Sequence, residues 1–124
     1  MNDAKIMQLF QLFAMIPDAE PWRDLAEAET AAVAAMLRPG ADPEDNRLNY
    51  YAAARANLRY REIVNAGQVT PTYAGATAAS VPDRGGCSLA ERLVRAYRAE
   101  CAALLSDDAP FYFAAAVQDS EGCT

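Results

Sequence analysis

Between Asp42 and Gly67 the chain spells out one long helix with both ends marked, and that segment limits the folds open to the rest. Asp42 is a helix-capping residue type, Pro43 suits a first helical position because its missing N–H was unpaired anyway, and Glu44 and Asp45 complete an acidic first turn. The spacing predicts a helix to about Ala66, with Gly67 taking the left-handed conformation of a C-terminal cap. Leu48, Ala52, Ala56, Tyr60, Ile63 and Val64 fall on one broad face, and Arg47, Arg55, Arg59 and Arg61 fan around the remainder. Alanine, which also inflates the 52% apolar share of the whole chain, favours helices that approach one another closely.

Helices are expected on both sides of this one. Ile6, Leu9, Phe10, Phe13 and Ile16 recur at helical spacing after a capping Asn2 or Asp3, with Gln8 and Gln11 facing away and Pro17 as a stop. The run is too short to span a bilayer and no small-residue cleavage site follows, so it reads as a core-facing helix of a cytoplasmic chain. A second helix begins near Pro21, with Asp18, Glu20 and Asp24 early, an apolar side of Trp22, Leu25, Val33, Met36 and Leu37, and an end at Arg38-Pro39-Gly40. The last begins at Ser88, where Ser88-Leu-Ala-Glu91 has the form of a capping box. Leu89, Leu93, Tyr97, Cys101 and Leu104 form its core stripe, with Arg92, Arg95 and Arg98 outside it. Ser106-Asp-Asp-Ala-Pro110 ends it, Phe111–Val117 suits a strand or extended arm, and Gln118–Thr124 a flexible tail.

Residues 68–86, between the last two long helices, break this pattern. Val69–Tyr73 and Ala76–Val81 carry β-branched residues around Gly75, which predicts a short hairpin or loop. Pro71 confines it to a sheet edge, since proline cannot donate to a ladder. The fold class is therefore mainly α, about four helices in a small bundle with this insertion before the last long helix. Its 124 residues suit a single domain, here 1–117, followed by the tail 118–124.

Charge is segregated along the chain. Residues 1–46 hold nine acids and three bases, residues 47–98 eight arginines and three acids, and residues 99–124 five acids and no base. A net charge of −6 argues against a free-standing nucleic-acid binder. Ten of the eleven basic residues are arginine, the side chain suited to planar pairing with carboxylate or phosphate, although a GC-rich genome would produce the same bias.

Catalytic vocabulary is sparse. With no histidine, the commonest general base and zinc ligand are both missing. Phosphate-loop, dinucleotide, nucleophile-elbow and calcium-loop motifs do not occur. Gly85-Gly86 reads as a flexible helix entry, Asp107 and Asp108 as solvated turn residues, and Asp24, Glu27 and Glu29 as helix-surface acids. Cys87, Cys101 and Cys123, odd in number and without CxxC spacing, suit a reduced intracellular chain. No catalytic residue, cofactor or metal site is expected.

The order of these features, a short opening helix, "PWRDLAEAE", "LRPGADPEDNRLNYYAAARANLRYRE", a Thr- and Gly-rich hairpin, then "SLAERLVRAYRAECAALLSDDAPFYFAAAV", resembles the small head–tail connector (adaptor) proteins of tailed phages and prophages. The resemblance covers roughly Pro17 to Val117 and rests on pattern rather than on catalytic motifs. It implies a non-enzymatic helical subunit that forms a ring between portal and tail, with DNA passing through the channel without sequence readout. It also implies self-association, portal and tail or neck partners, no membrane, and a place in the cytoplasm during assembly and in the virion afterwards. Arg47, Arg55, Arg59, Arg61, Arg92, Arg95 and Arg98 then become candidate subunit-interface residues, because a channel that releases DNA should not grip it. Val69, Thr70, Thr72, Tyr73, Gly75 and Thr77 become a candidate assembly hairpin. The alternative is a helical DNA-binding regulator using the arginine-bearing faces of the third and fourth helices. A third, weaker reading is an enzyme or ligand-binding bundle with a pocket under residues 68–86.

Overall fold

The computed structural model describes residues 1–69 and 84–106. Four helices form: α1 (Asp3–Ala14), α2 (Arg23–Met36), α3 (Asn46–Val69) and α4 (Arg84–Glu100), with single 3-10 turns at Glu20–Trp22 and Ala102–Leu104. The mainly α bundle expected from the periodicity is the one adopted. Of the candidate hairpin residues, Val69 is the last residue of α3, and Thr70, Thr72, Tyr73, Gly75 and Thr77 lie outside the described residues. So do the aromatic segment 111–117 and the tail 118–124.

α3 is the axis of the bundle, and α1, α2 and α4 all pack on it. Tyr51, Ala52, Ala53 and Ala54 are four consecutive buried residues, and four successive positions point around the whole helix circumference. The expectation of one apolar face and one arginine-covered face was therefore too narrow. Between Leu48 and Asn57 α3 is enclosed on all sides. Small side chains make this possible, since three helices can crowd a fourth only where little projects from it.

Directions follow from pairs of contacts. The Asn2 N–H donates to Asn49 Oδ1 at 2.9 Å and Arg61 Nη2 donates to the Ala14 carbonyl at 2.9 Å, both pairs 47 residues apart. α1 thus runs parallel to α3 in constant register. Trp22 packs edge-on to Tyr60 at 4.9 Å while Glu29 meets Arg55, so α2 is antiparallel. Tyr97 packs on Tyr50 at 5.4 Å and the Cys101 thiol donates to the Arg47 carbonyl at 3.4 Å, which makes α4 antiparallel as well.

Helix ends are where sequence and structure differ most. α1 starts as expected, with Asn2 Oδ1 accepting from the Lys5 N–H. It closes on Met15 in the left-handed region (φ 58°), whose N–H and that of Ile16 satisfy carbonyls of the last turn. Pro21 sits in the 3-10 turn rather than in α2. Asp42 shapes a turn instead of capping α3: its Oδ1 accepts from the Glu44 N–H, and Asp45 three residues later takes the cap by accepting from Arg47 N–H. Gly67 does not stop α3, which continues to Val69. A helical glycine costs only about 1 kcal/mol relative to alanine, too little to end a helix by itself. Likewise α4 has already begun at Arg84, so Ser88 is an interior residue and its capping box is unused. The segment expected as hairpin over 68–86 therefore contributes helix at both of its ends.

Two residues expected in the core are not there. Ile63 is 49% exposed and Leu89 52% exposed, while Ala90 and Val94 take the buried positions on α4. At the other end of the bundle the chain after α2 is clamped to the chain after α4. Arg38 N–H donates to the Leu104 carbonyl (2.9 Å), Ser106 N–H to the Met36 carbonyl (2.8 Å), and the Arg38 guanidinium reaches the Leu105 carbonyl through Nε and Nη2 at 3.2 and 3.1 Å.

Enlarging the enclosed alanine belt should be costly. Ala54→Leu is expected to destabilise the fold by about 1–3 kcal/mol in urea titrations, whereas Ala4→Leu on the exposed side of α1 should change it by less than about 0.5 kcal/mol.

Candidate functional site

Of the seven candidate subunit-interface arginines, the four on α3 are distributed by the fold among three environments. The most enclosed centres on Glu29, which is buried rather than on the helix surface as its sequence context suggested. Position 29 falls in the apolar series Trp22, Leu25, Val33 and Met36, so the gap in that stripe was the available signal. Glu29 Oε1 accepts from Arg55 Nε at 2.9 Å, with the two side chains 10% and 13% exposed, and Glu29 Oε2 accepts from Arg59 Nε at 3.4 Å. Arg55 also lies over the Tyr51 ring, 5.7 Å from its centre. Arg59 extends outward to Glu62 at 3.3 Å. These contacts join α2 to α3, because a buried carboxylate is tolerated only with its charge and lone pairs matched.

The second environment lies at the start of α3. Arg47 forms a two-pronged pair with Asp45, at 3.0 and 2.9 Å, and its Nη1 donates to the Glu100 carbonyl at 3.2 Å. The Arg47 side-chain hydrogen bond, aided by the Arg47 backbone N–H, holds the Asp45 carboxyl down at about 2. Next to this pair Cys101 is buried and free, and burial pushes its thiol up to about 11, so it is protonated near neutral pH and a poor nucleophile.

Third, Arg61 caps α1 through the Ala14 carbonyl and lies 5.6 Å from the centre of the Tyr60 ring. Asn57, Arg61 and Asn65 recur every four residues on α3. Asn57 Oδ1, Arg61 Nε and both Asn65 amide atoms are buried without a hydrogen-bond partner. Unmet polar groups of this kind cost about 1–3 kcal/mol each, so the distal half of α3 is held less firmly than the alanine belt.

On α4, Arg98 is half-buried at the flank, while Arg92 and Arg95 are exposed. The fold thus does not bring the seven arginines onto one surface, and only Arg92 and Arg95 project freely from the bundle. A dent between α1 and α2, lined by Ile6, Met7, Arg23 and Thr30 among others, has a volume of about 10 Å³, room for one water. Among the described residues no three His, Cys, Asp or Glu side chains come together to hold a metal ion, and no helix is long and apolar enough to cross a membrane. Compared with family models, curated proteins and solved structures, the chain has no match.

Glu29→Ala strands Arg55 in the core and is expected to destabilise by about 3 kcal/mol in urea titrations, whereas Glu62→Ala should cost less than about 1 kcal/mol. Because the Asp45 carboxyl is lowered in the folded chain, its contribution to stability is present above its ordinary value of 3.8 and is lost as pH falls through about 2. Asp45→Asn should therefore flatten the loss of urea midpoint between those pH values, and an unchanged slope would remove the assignment.

Proposed function

We propose that the chain is a non-enzymatic assembly subunit, a head–tail connector of a phage-like particle, forming a ring between portal and tail through which DNA passes. The observation that carries the reading is the polarity of the bundle. Val69 and Arg84 lie at one end, and Ser106 is clamped at the other through Arg38, Leu104 and Met36. The 24-residue α3 separates the two ends by roughly 36 Å. A subunit that joins two different partners along one axis needs chain leaving at both ends of a stiff body. In sequence, the Thr- and Gly-rich stretch follows Val69 and the acidic, aromatic stretch follows Ser106.

The packing supports a structural role. The enclosed alanine belt makes α3 a strut, and its ionic groups are spent on holding helices together around Glu29 and Asp45. The DNA-binding alternative loses support from the same facts, since Arg55 is committed to Glu29 and Arg47 to Asp45. The ring places the protein in the cytoplasm while particles assemble and in the virion afterwards, with portal and tail or neck proteins as partners.

Co-expression with the cognate portal and capsid proteins tests the reading. The chain is expected to sediment with portal-containing particles and to be absent from capsid shells that lack portal. Particles with portal but without this chain would overturn it.

A further inference from the structure

Two exposed helix ridges, on two of the helices that pack on α3, have complementary charge. On α4, Ser88, Arg92, Arg95 and Ala99 recur at i, i+4, i+7 and i+11 and are all exposed, and neither Arg92 nor Arg95 has an ion-pair partner among the described residues. On α2, Asp24, Ala28, Ala31 and Ala35 recur at the same spacing and are likewise exposed. Asp24 has no ion-pair partner among the described residues. Glu27 beside it reaches Arg23 only at 4.0 Å, and that arginine is already engaged by Glu20. One ridge therefore carries a pair of unanswered cations on a small-residue track, the other a pair of largely unanswered anions on a similar track.

Their geometry suits repetition. α2 and α4 are both antiparallel to α3, so they run in the same direction. The contacts Trp22–Tyr60 and Glu29–Arg55 on one side, and Tyr97–Tyr50 and Cys101–Arg47 on the other, place the two charged pairs within about a helical turn of one level. We infer that the α4 ridge of one copy docks on the α2 ridge of the next, Arg92 and Arg95 meeting Asp24 and Glu27. Such a contact joins two different surfaces, and a rotation about an axis along the bundle repeats it until it closes. The alanines let the helices come near enough for the charges to pair, and the arginine forks suit carboxylates. The inference names the subunit contact of the connector ring and rests on that reading for its closure.

Sedimentation of the full chain tests it. Wild type is expected to self-associate at about 20 mM salt and to weaken at least about tenfold at about 500 mM. Arg92→Glu with Arg95→Glu, and separately Asp24→Arg with Glu27→Arg, should each weaken association about tenfold. An equimolar mixture of these two variants should regain association beyond dimers, because native pairs of ridges and charge-reversed pairs, both complementary, alternate between the two chains. Reversing all four residues in one chain should restore association. A monomeric wild type at low salt, pair reversals that associate like wild type, or a fourfold reversal that fails to recover would each overturn the contact. So would duplex DNA retention that depends on Arg92 and Arg95 in a chain that does not self-associate. A chain that associates through these ridges yet never joins portal-containing particles keeps the contact and loses the connector. One that joins the particles with α4 reversed keeps the connector and loses the contact.

Discussion

Three helices lie against α3 at once because the side chains at 52, 53, 54 and 56 are single methyl groups. The interaxial distance between packed helices is set by what projects between them, so an enclosed helix must be small-sided over the length that is enclosed. The rest of the bundle depends on this belt. It permits α1 to hold constant register with α3, and it brings α2 near enough for Glu29 to reach Arg55. It also lets α4 seat Cys101 against the Arg47 carbonyl. Aromatic contacts flank the belt, Phe10–Tyr60 and Trp22–Tyr60 toward one end of α3 and Tyr50–Tyr97 toward the other.

A belt of alanines has little shape of its own, and methyl groups alone discriminate poorly between helix registers. Polar contacts supply that discrimination here. Glu29 sets where α2 meets α3, Asn49 sets where α1 starts, and Arg38 ties the end of α2 to the end of α4. Each is a contact between residues far apart in sequence, and each would leave an unmatched buried or half-buried group if the helices slid by a turn. The ionic groups of the interior thus act as locators, and the charges left over on the outer ridges of α2 and α4 are the ones available to another molecule.

The helices themselves were largely legible in the sequence. The α1 stripe of Ile6, Leu9 and Phe10, its Asn2 cap and the approximate span of all four helices follow from periodicity and capping chemistry. The termini were less legible. Asp42, Gly67 and Ser88 are each good local signals, yet Asp42 serves a turn, α3 passes through Gly67, and α4 has begun four residues before Ser88. Capping preferences are worth about 1 kcal/mol, comparable with one additional helical turn packed against a neighbour, so local preference loses wherever packing extends the helix.

What the sequence determined by itself is the class of fold and the sorting of charge: alanine-rich helical periodicity, an arginine-rich middle and acidic ends. It could not say which charges were structural. Only its place in the Trp22–Met36 stripe sets Glu29 apart from Glu27, and nothing sets Arg55 apart from Arg92, because a side chain's burial depends on which helix lies opposite. Only the tertiary structure enclosed Glu29 with Arg55 and Arg59 and left Asp24, Arg92 and Arg95 facing outward. The physical reason is that enclosing α3 uses up every face it has. The four arginines it carries find partners within the bundle, while Arg92 and Arg95 on α4 remain outside it.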